Sequence, residues 1–149
     1  MRLVLLGAPG SGKGTQAQLL SKNFGLNHFA TGDILRDAIR LETPAGKQAR
    51  AYVTTGKLVP DELINEVVAE IFRRAPPPQK FVLDGYPRTF GQARALGDLL
   101  VERGLDLTAA VFLKVEDQEL VRRLSGRWNC PNCKATYHTE FKPATRPGL

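Results

Sequence analysis

A glycine-rich loop near the N-terminus limits the folds open to this 149-residue chain more than any other feature. The segment Gly7-Ala8-Pro9-Gly10-Ser11-Gly12-Lys13-Gly14-Thr15 directly follows the apolar run 2–6 and precedes a stretch with helical spacing of apolar residues. Glycines let consecutive main-chain N–H groups turn toward one anion without Cβ clashes, and a helix N-terminus adds a positive dipole. The loop therefore predicts a phosphate site between a buried strand and a helix.

The lysine of this loop strengthens the prediction, and the residue after it departs from the usual pattern. Lys13 supplies a mobile positive charge for terminal phosphates, which a glycine turn that binds nothing would not need. The general pattern has Ser or Thr directly after the lysine as a magnesium ligand, whereas this chain has Gly14 and then Thr15. We expect either that the metal is held differently or that Thr15 takes a phosphate role.

Apolar runs alternate with helical periodicity along most of the chain. The predicted strands are short and almost wholly apolar, as in a sheet buried on both faces, and they cover 2–6, 26–30, 81–84 and 109–115. The predicted helices cover 16–24, 33–40, 45–54, 60–74, 92–103 and 118–124. This alternation predicts an α/β fold, with a parallel sheet flanked by helices. From residue 127 onward the periodicity ends, which indicates a small separate module.

Composition excludes several classes of protein. No apolar run approaches the roughly 18–20 residues of a membrane span, and two cysteines do not make a disulfide scaffold, so we expect a cytoplasmic protein without a membrane partner. The net charge of +6 is concentrated in residues 122–149, which hold six Lys or Arg residues and one acidic residue, a net of +5. A nucleic-acid surface needs a basic stripe with interleaved aromatic residues and, for a zinc knuckle, a complete metal site, so we expect no nucleic-acid partner.

Four further motifs follow the glycine loop in a fixed order. They are Thr31-Gly32-Asp33-Ile34-Leu35-Arg36, Gly56-Lys57-Leu58-Val59-Pro60, Asp84-Gly85-Tyr86-Pro87-Arg88-Thr89 with Gln92 after it, and Arg123-Leu124-Ser125-Gly126-Arg127. With the glycine loop, this set resembles the adenylate kinase family of nucleoside monophosphate kinases over essentially the whole chain. The combination is far more specific than the loop alone.

The resemblance implies a P-loop NTPase fold and reversible transfer of a phosphoryl group from Mg-ATP to AMP, giving two ADP. It implies a core with the P-loop at 1–29, an AMP-binding domain at 30–59, further core at 60–125 and a partial lid at 126–149. Alternatives are a UMP- or CMP-type kinase, or a nucleotide-binding remnant without catalysis. Thr31, Gln92 and the zinc-type lid favour AMP.

The resemblance also assigns roles to individual residues. Arginines suit phosphate transfer because their planar fork binds phosphate oxygens bidentately. The catalytic candidates are Lys13, Arg36, Arg88 and Arg123. The expected ATP site comprises Gly10, Ser11, Gly12, Lys13, Gly14, Thr15, Arg123, Arg127, Thr136 and Tyr137. The expected AMP site comprises Thr31, Arg36, Lys57, Leu58, Val59, Gly85, Tyr86, Pro87, Arg88 and Gln92.

Two metals are expected. Asp84 ends an apolar strand, where a carboxylate can hold Mg²⁺ through water, although strand-end aspartates also cap helices. Cys130 and Cys133 form a C-x2-C pair that indicates half of a structural Zn²⁺ site, and His138 is a possible third ligand but is more typical of a structural residue.

The resemblance implies that relatives continue past Leu149 with the rest of a lid, further arginines, a last strand and a C-terminal helix. We therefore expect a C-terminally truncated adenylate kinase whose sheet lacks an edge strand. Such a chain is expected to be a monomer with weak or no kinase activity, poor solubility and weak Zn²⁺ binding.

Overall fold

The computed structural model describes residues 1–73, 76–131 and 135–143. Its strands are β1 (Arg2–Leu6), β2 (Asn27–Ala30), β3 (Phe81–Asp84), β4 (Ala109–Phe112), β5 (Arg127–Asn129) and β6 (Thr136–His138). Its helices are α1 (Lys13–Phe24), α2 (Thr31–Arg40), α3 (Pro44–Thr54), α4 (Asp61–Phe72), α5 (Phe90–Glu102) and α6 (Asp117–Ser125). The predicted alternation of strands and helices is confirmed.

The chain divides into two compact units. Met1–Leu6 and Lys13–Phe112 form the first unit, while Gly7–Gly12 and the described residues from Leu113 onward form the second. No helix in the described part of the chain is both long enough and apolar enough to span a membrane.

The first unit is built on a four-stranded parallel sheet with the order β2-β3-β1-β4. Leu5 of β1 pairs with Asp84 of β3, and Ala30 of β2 pairs with the same aspartate from the other side. The carboxyl ends of these strands therefore meet at one edge, which is where α/β sheets place ligands. The sheet confirms the predicted α/β fold with a parallel sheet flanked by helices.

The apolar runs form strands because both of their faces are covered. Leu3, Val4 and Leu5 are buried, and Phe81 and Leu83 of the neighbouring strand are completely buried. Helix α1 packs on β1, β2 and β3, while α4 packs against α2, α3 and α5. The main apolar cluster joins β1 and β3 to α4 and α5, so these strands and helices share one closely packed core.

Helix boundaries differ from the predicted ones where capping decides the start. Helix α3 begins at Pro44 rather than residue 45, because Thr43 caps it by accepting a hydrogen bond from the Gly46 N–H. Helix α5 begins at Phe90 rather than residue 92, because Thr89 accepts from the Gln92 N–H in the same way. Apolar periodicity does not mark these exact starts, since a cap acts on main-chain groups.

Strand β4 is shorter than predicted, since it ends at Phe112 rather than at residue 115. It lies at the edge of the sheet and pairs with β1, and all four of its residues are exposed. Phe112 is 66% exposed and Val111 is 43% exposed. This strand therefore presents apolar side chains beside main-chain groups that are open to pairing.

The second unit contains α6 and an antiparallel hairpin of β5 and β6. Trp128 stacks on Tyr137 across this hairpin, with ring centroids 4.8 Å apart. The hairpin follows α6 after Gly126, where a Cβ atom would lie only 2.5 Å from the His138 ring. Within the described residues after 126, the chain therefore forms a two-stranded antiparallel hairpin.

Candidate functional site

Asp84, at the carboxyl end of β3, is the centre of a polar cluster in the first unit. The Thr31 hydroxyl donates a 3.1 Å hydrogen bond to the main-chain oxygen of Asp84, which ties the start of α2 to this strand. Asp84 Oδ2 lies 3.6 Å from His28 Nε2, and the Asp84 side chain is 15% exposed. A carboxylate is thus held at the sheet edge with little solvent around it.

Lys13 and Gly14, at the start of α1, face the same carboxylate. Burial lowers the pKa of Lys13, the Asp84 carboxylate opposes that effect, and the Arg88 guanidinium adds to it. A Cβ atom at Gly14 would lie 3.3 Å from Asp84 Oδ2, so a side chain there would crowd the carboxylate. Glycine after the lysine, which departs from the usual pattern, thus leaves room beside Asp84.

Arg88 folds back over the turn that follows β3. Its Nε donates a 2.6 Å hydrogen bond to the Gly85 carbonyl. Gly85 has a φ of +82°, and a Cβ there would lie 3.0 Å from the Arg88 guanidinium and 3.2 Å from the Thr31 hydroxyl. Glycine is needed at this position for both its conformation and its size. The Arg88 side chain remains exposed and can therefore meet a ligand.

Gln92 is buried, at 4% exposure, and both ends of its side-chain amide are hydrogen-bonded. Its Oε1 accepts a 2.7 Å hydrogen bond from the Arg88 main-chain N–H, and its Nε2 donates a 2.7 Å hydrogen bond to Asp61 Oδ1. The second oxygen of Asp61 accepts from the Thr89 hydroxyl at 2.5 Å. This network ties the first turn of α4 to the turn that carries Arg88.

Tyr86 and Pro87 belong to the same turn, and the peptide bond between them is cis. Tyr86 is 1% exposed, and its hydroxyl lies 2.8 Å from Asn65 Oδ1 on α4 and 3.2 Å from the Gln92 carbonyl. The Tyr86 side chain therefore supports the turn from inside the protein, and its ring is not a surface for a ligand.

The remaining residues of the expected AMP site lie on exposed segments. Arg36 pairs with Asp33 at 2.6 Å, one helical turn away, and both side chains are largely exposed. Lys57 and Leu58 follow α3, where Leu58 is 94% exposed, and Val59 is partly buried. The cluster around Asp84 therefore brings together Lys13, Thr31, Gly85 and Arg88, while the structure gives these exposed residues no contact with it.

The glycine loop Gly7–Gly12 belongs to the second unit and is shaped by its glycines. Gly7, Gly10 and Gly12 have φ values of +146°, +84° and +96°. A Cβ at Gly7 would lie 2.8 Å from both the Ser11 hydroxyl and the Leu113 carbonyl. The Ser11 hydroxyl is buried and has no hydrogen-bond partner among the described residues. The loop thus has the conformation and a polar group expected of an anion site.

The arginines and aromatic residues expected at the ATP site lie on α6 and the β5–β6 hairpin of the second unit. Arg123 Nε donates a 2.7 Å hydrogen bond to Glu119, and Arg127 is exposed at the start of β5. Thr136 is exposed, and Tyr137 is partly buried by its stacking on Trp128. The flat Trp128–Tyr137 pair is a surface on which an aromatic base can stack.

The proposed zinc site is only partly within the described residues. Cys130 lies in the described part of the chain, whereas Cys133 lies outside it. His138 is buried, and its Nδ1 accepts hydrogen bonds from the main-chain N–H groups of Glu140 and Phe141. Its ring is therefore used structurally, and no group of three potential ligands occurs among the described residues. Those residues alone do not complete a zinc site.

Sequence reasoning missed three residues of this arrangement, namely His28, Asp61 and Asn65. His28 lies within a predicted strand, and Asp61 and Asn65 lie in a predicted helix. A polar residue in such an element is expected to be exposed, so the sequence gives no reason to single it out. Asp61 follows Pro60 at the start of α4, so it looks like a carboxylate that favours the helix N-terminus. Only the approach of α4 to the turn after β3 reveals its second set of partners.

A parallel sheet whose first strand leads into a glycine-rich loop, a lysine and a helix defines the P-loop class of phosphate-binding proteins. The profile of the family described as "Adenylate kinase" matches residues 5–146. The chain belongs to the adenylate kinase family.

Curated relatives agree with this assignment. The chain is 45% identical to an adenylate kinase of Caldicellulosiruptor bescii, over all of this chain and 69% of the relative. It is 49% identical to one of Lactococcus lactis subsp. lactis and 47% identical to one of Citrifermentans bemidjiense, each over all of this chain and 70% of the relative. As a member of this family, the chain is classed as a phosphotransferase.

Proposed function

We propose that this chain binds ATP and AMP and transfers a phosphoryl group reversibly between them to give two ADP. The observation that carries the proposal is the arrangement at the carboxyl edge of the sheet, where Gly14 and Thr31 adjoin Asp84 and the Arg88 guanidinium adjoins Gly85 and Thr31. The Asp84 carboxylate and the Arg88 guanidinium are also near enough to affect the pKa of Lys13. Cations at such an edge suit a reaction in which several phosphates approach each other, because positioning and charge neutralisation supply most of the catalysis.

The proposed division of labour follows the two ends of this cluster. Lys13, at the N-terminus of α1, and the glycine loop would hold the ATP phosphates. Arg88 would hold the AMP phosphate, with Thr31 and Gly85 below it, because its guanidinium lies close to both. Arg36 would supply a second guanidinium to AMP once its exposed pair with Asp33 is exchanged for a phosphate.

Residues of the second unit are also proposed to contribute to ATP binding. Arg123 and Arg127 would contribute positive charge toward the phosphates, and Tyr137 would contact the nucleotide close to its stack with Trp128. The proposed AMP-binding domain covers 30–59, and the proposed partial lid covers 126–149. The protein is proposed to act as a cytoplasmic monomer.

Asp84 fits the binding of Mg²⁺ because its carboxylate lies at the sheet edge beside the small residue Gly14 and keeps 15% exposure. Mg²⁺ sheds water reluctantly, so Asp84 would hold the ion through bound water. The ion would supply charge neutralisation on the ATP phosphates. Zinc would be held in part by Cys130, with no role in the reaction.

Two matched substitutions test the proposal by calorimetric binding to the full chain. Lys13→Gln is expected to weaken ATP binding at least about tenfold and to leave AMP binding within about twofold. Arg88→Gln is expected to weaken AMP binding at least about tenfold and to leave ATP binding within about twofold. Arg94→Gln, on the exposed side of α5, removes the same charge and should change neither.

Binding of UMP or CMP in preference to AMP would overturn the assignment of the substrate. Binding of neither ATP nor AMP by the unsubstituted chain would overturn the function itself. We also propose that ADP formation by this chain is slow. A coupled assay that gives turnover equal to that of the Lactococcus lactis subsp. lactis relative would contradict this part.

A further inference from the structure

Asp61 binds the side chain of Gln92, a residue of the expected AMP site. Asp61 itself lies at the start of α4 and outside every motif described in the sequence. Its carboxylate accepts from Gln92 Nε2 at 2.7 Å through one oxygen and from the Thr89 hydroxyl at 2.5 Å through the other. Asp61 is partly buried, so these two bonds are shielded from competing water.

The partners of Gln92 leave its amide a single orientation. The Arg88 main-chain N–H can only donate, so the group 2.7 Å from it must be Oε1. The Asp61 carboxylate can only accept, so the group that faces it must be Nε2. A rotation of the amide by 180° would place donor against donor at Arg88 and oxygen against oxygen at Asp61. The orientation is therefore imposed by two neighbours of opposite character.

We infer that Asp61 is a positioning residue that selects the base of the monophosphate by fixing the orientation of the Gln92 amide. This inference rests on the proposed function and on the expected place of Gln92 in the AMP site, with its amide beside the base. An amide keeps one N–H and one lone pair beyond the two bonds already made. Adenine offers a donor at N6 and an acceptor at N1, whereas guanine offers an acceptor at O6 and a donor at N1. One fixed amide orientation can match only one of these two patterns.

Substitution of Asp61 by leucine removes both acceptor oxygens and keeps a side chain of similar size. Gln92 Nε2 then loses its partner, and only the Arg88 main-chain N–H still favours one orientation of the amide. Rotation of the amide by 180° now costs the hydrogen bond at Arg88 alone, whereas in the unsubstituted chain it costs the bonds to both neighbours.

The first test measures hydrogen exchange of the Arg88 main-chain amide by NMR in the nucleotide-free chain. The unsubstituted protein should show this amide protected relative to an unstructured peptide. Asp61→Leu should raise its exchange rate about fivefold, because one of the two bonds that hold the Gln92 amide is lost. The matched control is Glu62→Leu, which removes the same charge from the same helical turn at an exposed position. An unprotected Arg88 amide in the unsubstituted protein would overturn the inference without any variant.

The second test compares affinities for AMP and GMP, which carry the same phosphate. Asp61→Leu should reduce the preference for AMP over GMP at least about tenfold, because rotation of the Gln92 amide toward the guanine pattern no longer breaks the bond to Asp61. Glu62→Leu should leave the preference within about twofold. Equal losses for AMP and GMP in Asp61→Leu would show a merely structural role and overturn the inference. If the unsubstituted chain binds neither nucleotide, the proposed function fails and base selection fails with it. An exchange rate at Arg88 that Asp61→Leu leaves unchanged rejects the positioning role alone.

Discussion

The Tyr86 hydroxyl lies 2.8 Å from Asn65 Oδ1 and so joins the turn after β3 to helix α4. The same hydroxyl oxygen lies 3.2 Å from the Gln92 carbonyl oxygen, and Tyr86 is 1% exposed. A motif residue that the sequence associates with ligand binding is thus part of the support beneath the site. The stability of the turn that carries Arg88 depends on this buried hydroxyl.

Tyr86→Phe removes the hydroxyl and keeps the ring. We expect the free energy of unfolding to fall by about 1–2 kcal/mol, because Asn65 Oδ1 loses its partner in a largely buried place. Urea unfolding followed by circular dichroism measures this loss. Tyr52→Phe on α3 is the matched control, because Tyr52 is less buried, and it should cost less than about 0.5 kcal/mol. Equal losses in the two variants would contradict the role of Tyr86.

The same hydroxyl predicts a loss of stability at alkaline pH. Burial, with a contribution from the Asp61 carboxylate, raises the pKa of Tyr86 to about 12. In the unfolded chain this pKa is about 10, so the folded state holds the proton more tightly. The contribution is therefore fully present below about pH 10 and is lost between about pH 10 and pH 12, with a size of about 3 kcal/mol.

Unfolding free energies measured at about pH 9 and about pH 11 check this prediction, and Tyr86→Phe is the reference because other groups also titrate there. The unsubstituted chain should lose more stability between these two pH values than Tyr86→Phe does. Parallel losses in both proteins would show that Tyr86 ionises as it does in the unfolded chain.

Gly97, in the middle of α5, predicts a gain in stability. A Cβ added there would meet no atom within 4 Å, and its backbone is helical. Gly97→Ala is therefore expected to raise the free energy of unfolding by roughly 0.5–1 kcal/mol. Gly104→Ala is the contrast: a Cβ there also meets nothing, but its φ is +63°, so we expect a loss of about 1 kcal/mol. Thermal unfolding should show a higher stability for Gly97→Ala and a lower stability for Gly104→Ala than for the unsubstituted chain. A change of stability in the same direction in both variants would contradict the prediction.

The exposed edge strand β4 predicts a tendency to associate. Phe112 is 66% exposed beside a strand edge, so Phe112→Thr should reduce light scattering of a concentrated solution while it keeps a residue that favours strands. Phe24→Thr is the matched control, because Phe24 is 57% exposed at the end of a helix. If both variants lower scattering equally, exposed apolar area is the cause and the strand edge is not.

Local features of the chain were sufficient to predict the six helices and the four parallel-sheet strands of the described residues, but not the short strands β5 and β6. Apolar runs such as Phe81-Val82-Leu83 identify strands that are covered on both faces, because no other local structure buries every residue of a short segment. The glycine loop indicated the phosphate site, since positive φ at Gly10 and Gly12 requires that residue. Boundaries were less accurate, because caps such as Thr89 act on main-chain groups and leave no apolar pattern.

Contacts between distant segments could not be predicted in this way. The motif Asp84 to Thr89, with Gln92 after it, predicts ligand contacts for Tyr86 and Gln92 but gives no sign that both bond to α4. Asp61 and its partner Gln92 are 31 residues apart along the chain. The proposed role of Asp61 therefore depends on the packing of α4 against α5. Such a role has no signal in the residue itself, which looks like an ordinary acidic residue in a first helical turn.

The sequence by itself determined the fold class, the phosphate loop and the family, because each depends on residue type and short spacing. Only the tertiary structure decided which polar groups face one another, because the partners come from separate elements whose approach is set by packing. Lys13 meets Asp84 and Arg88 only when β3 lies beside β1, and Gln92 acquires its single orientation only when α4 brings Asp61 to it. Hydrogen bonds depend on direction and on distances below about 3.5 Å, so local pattern cannot specify them.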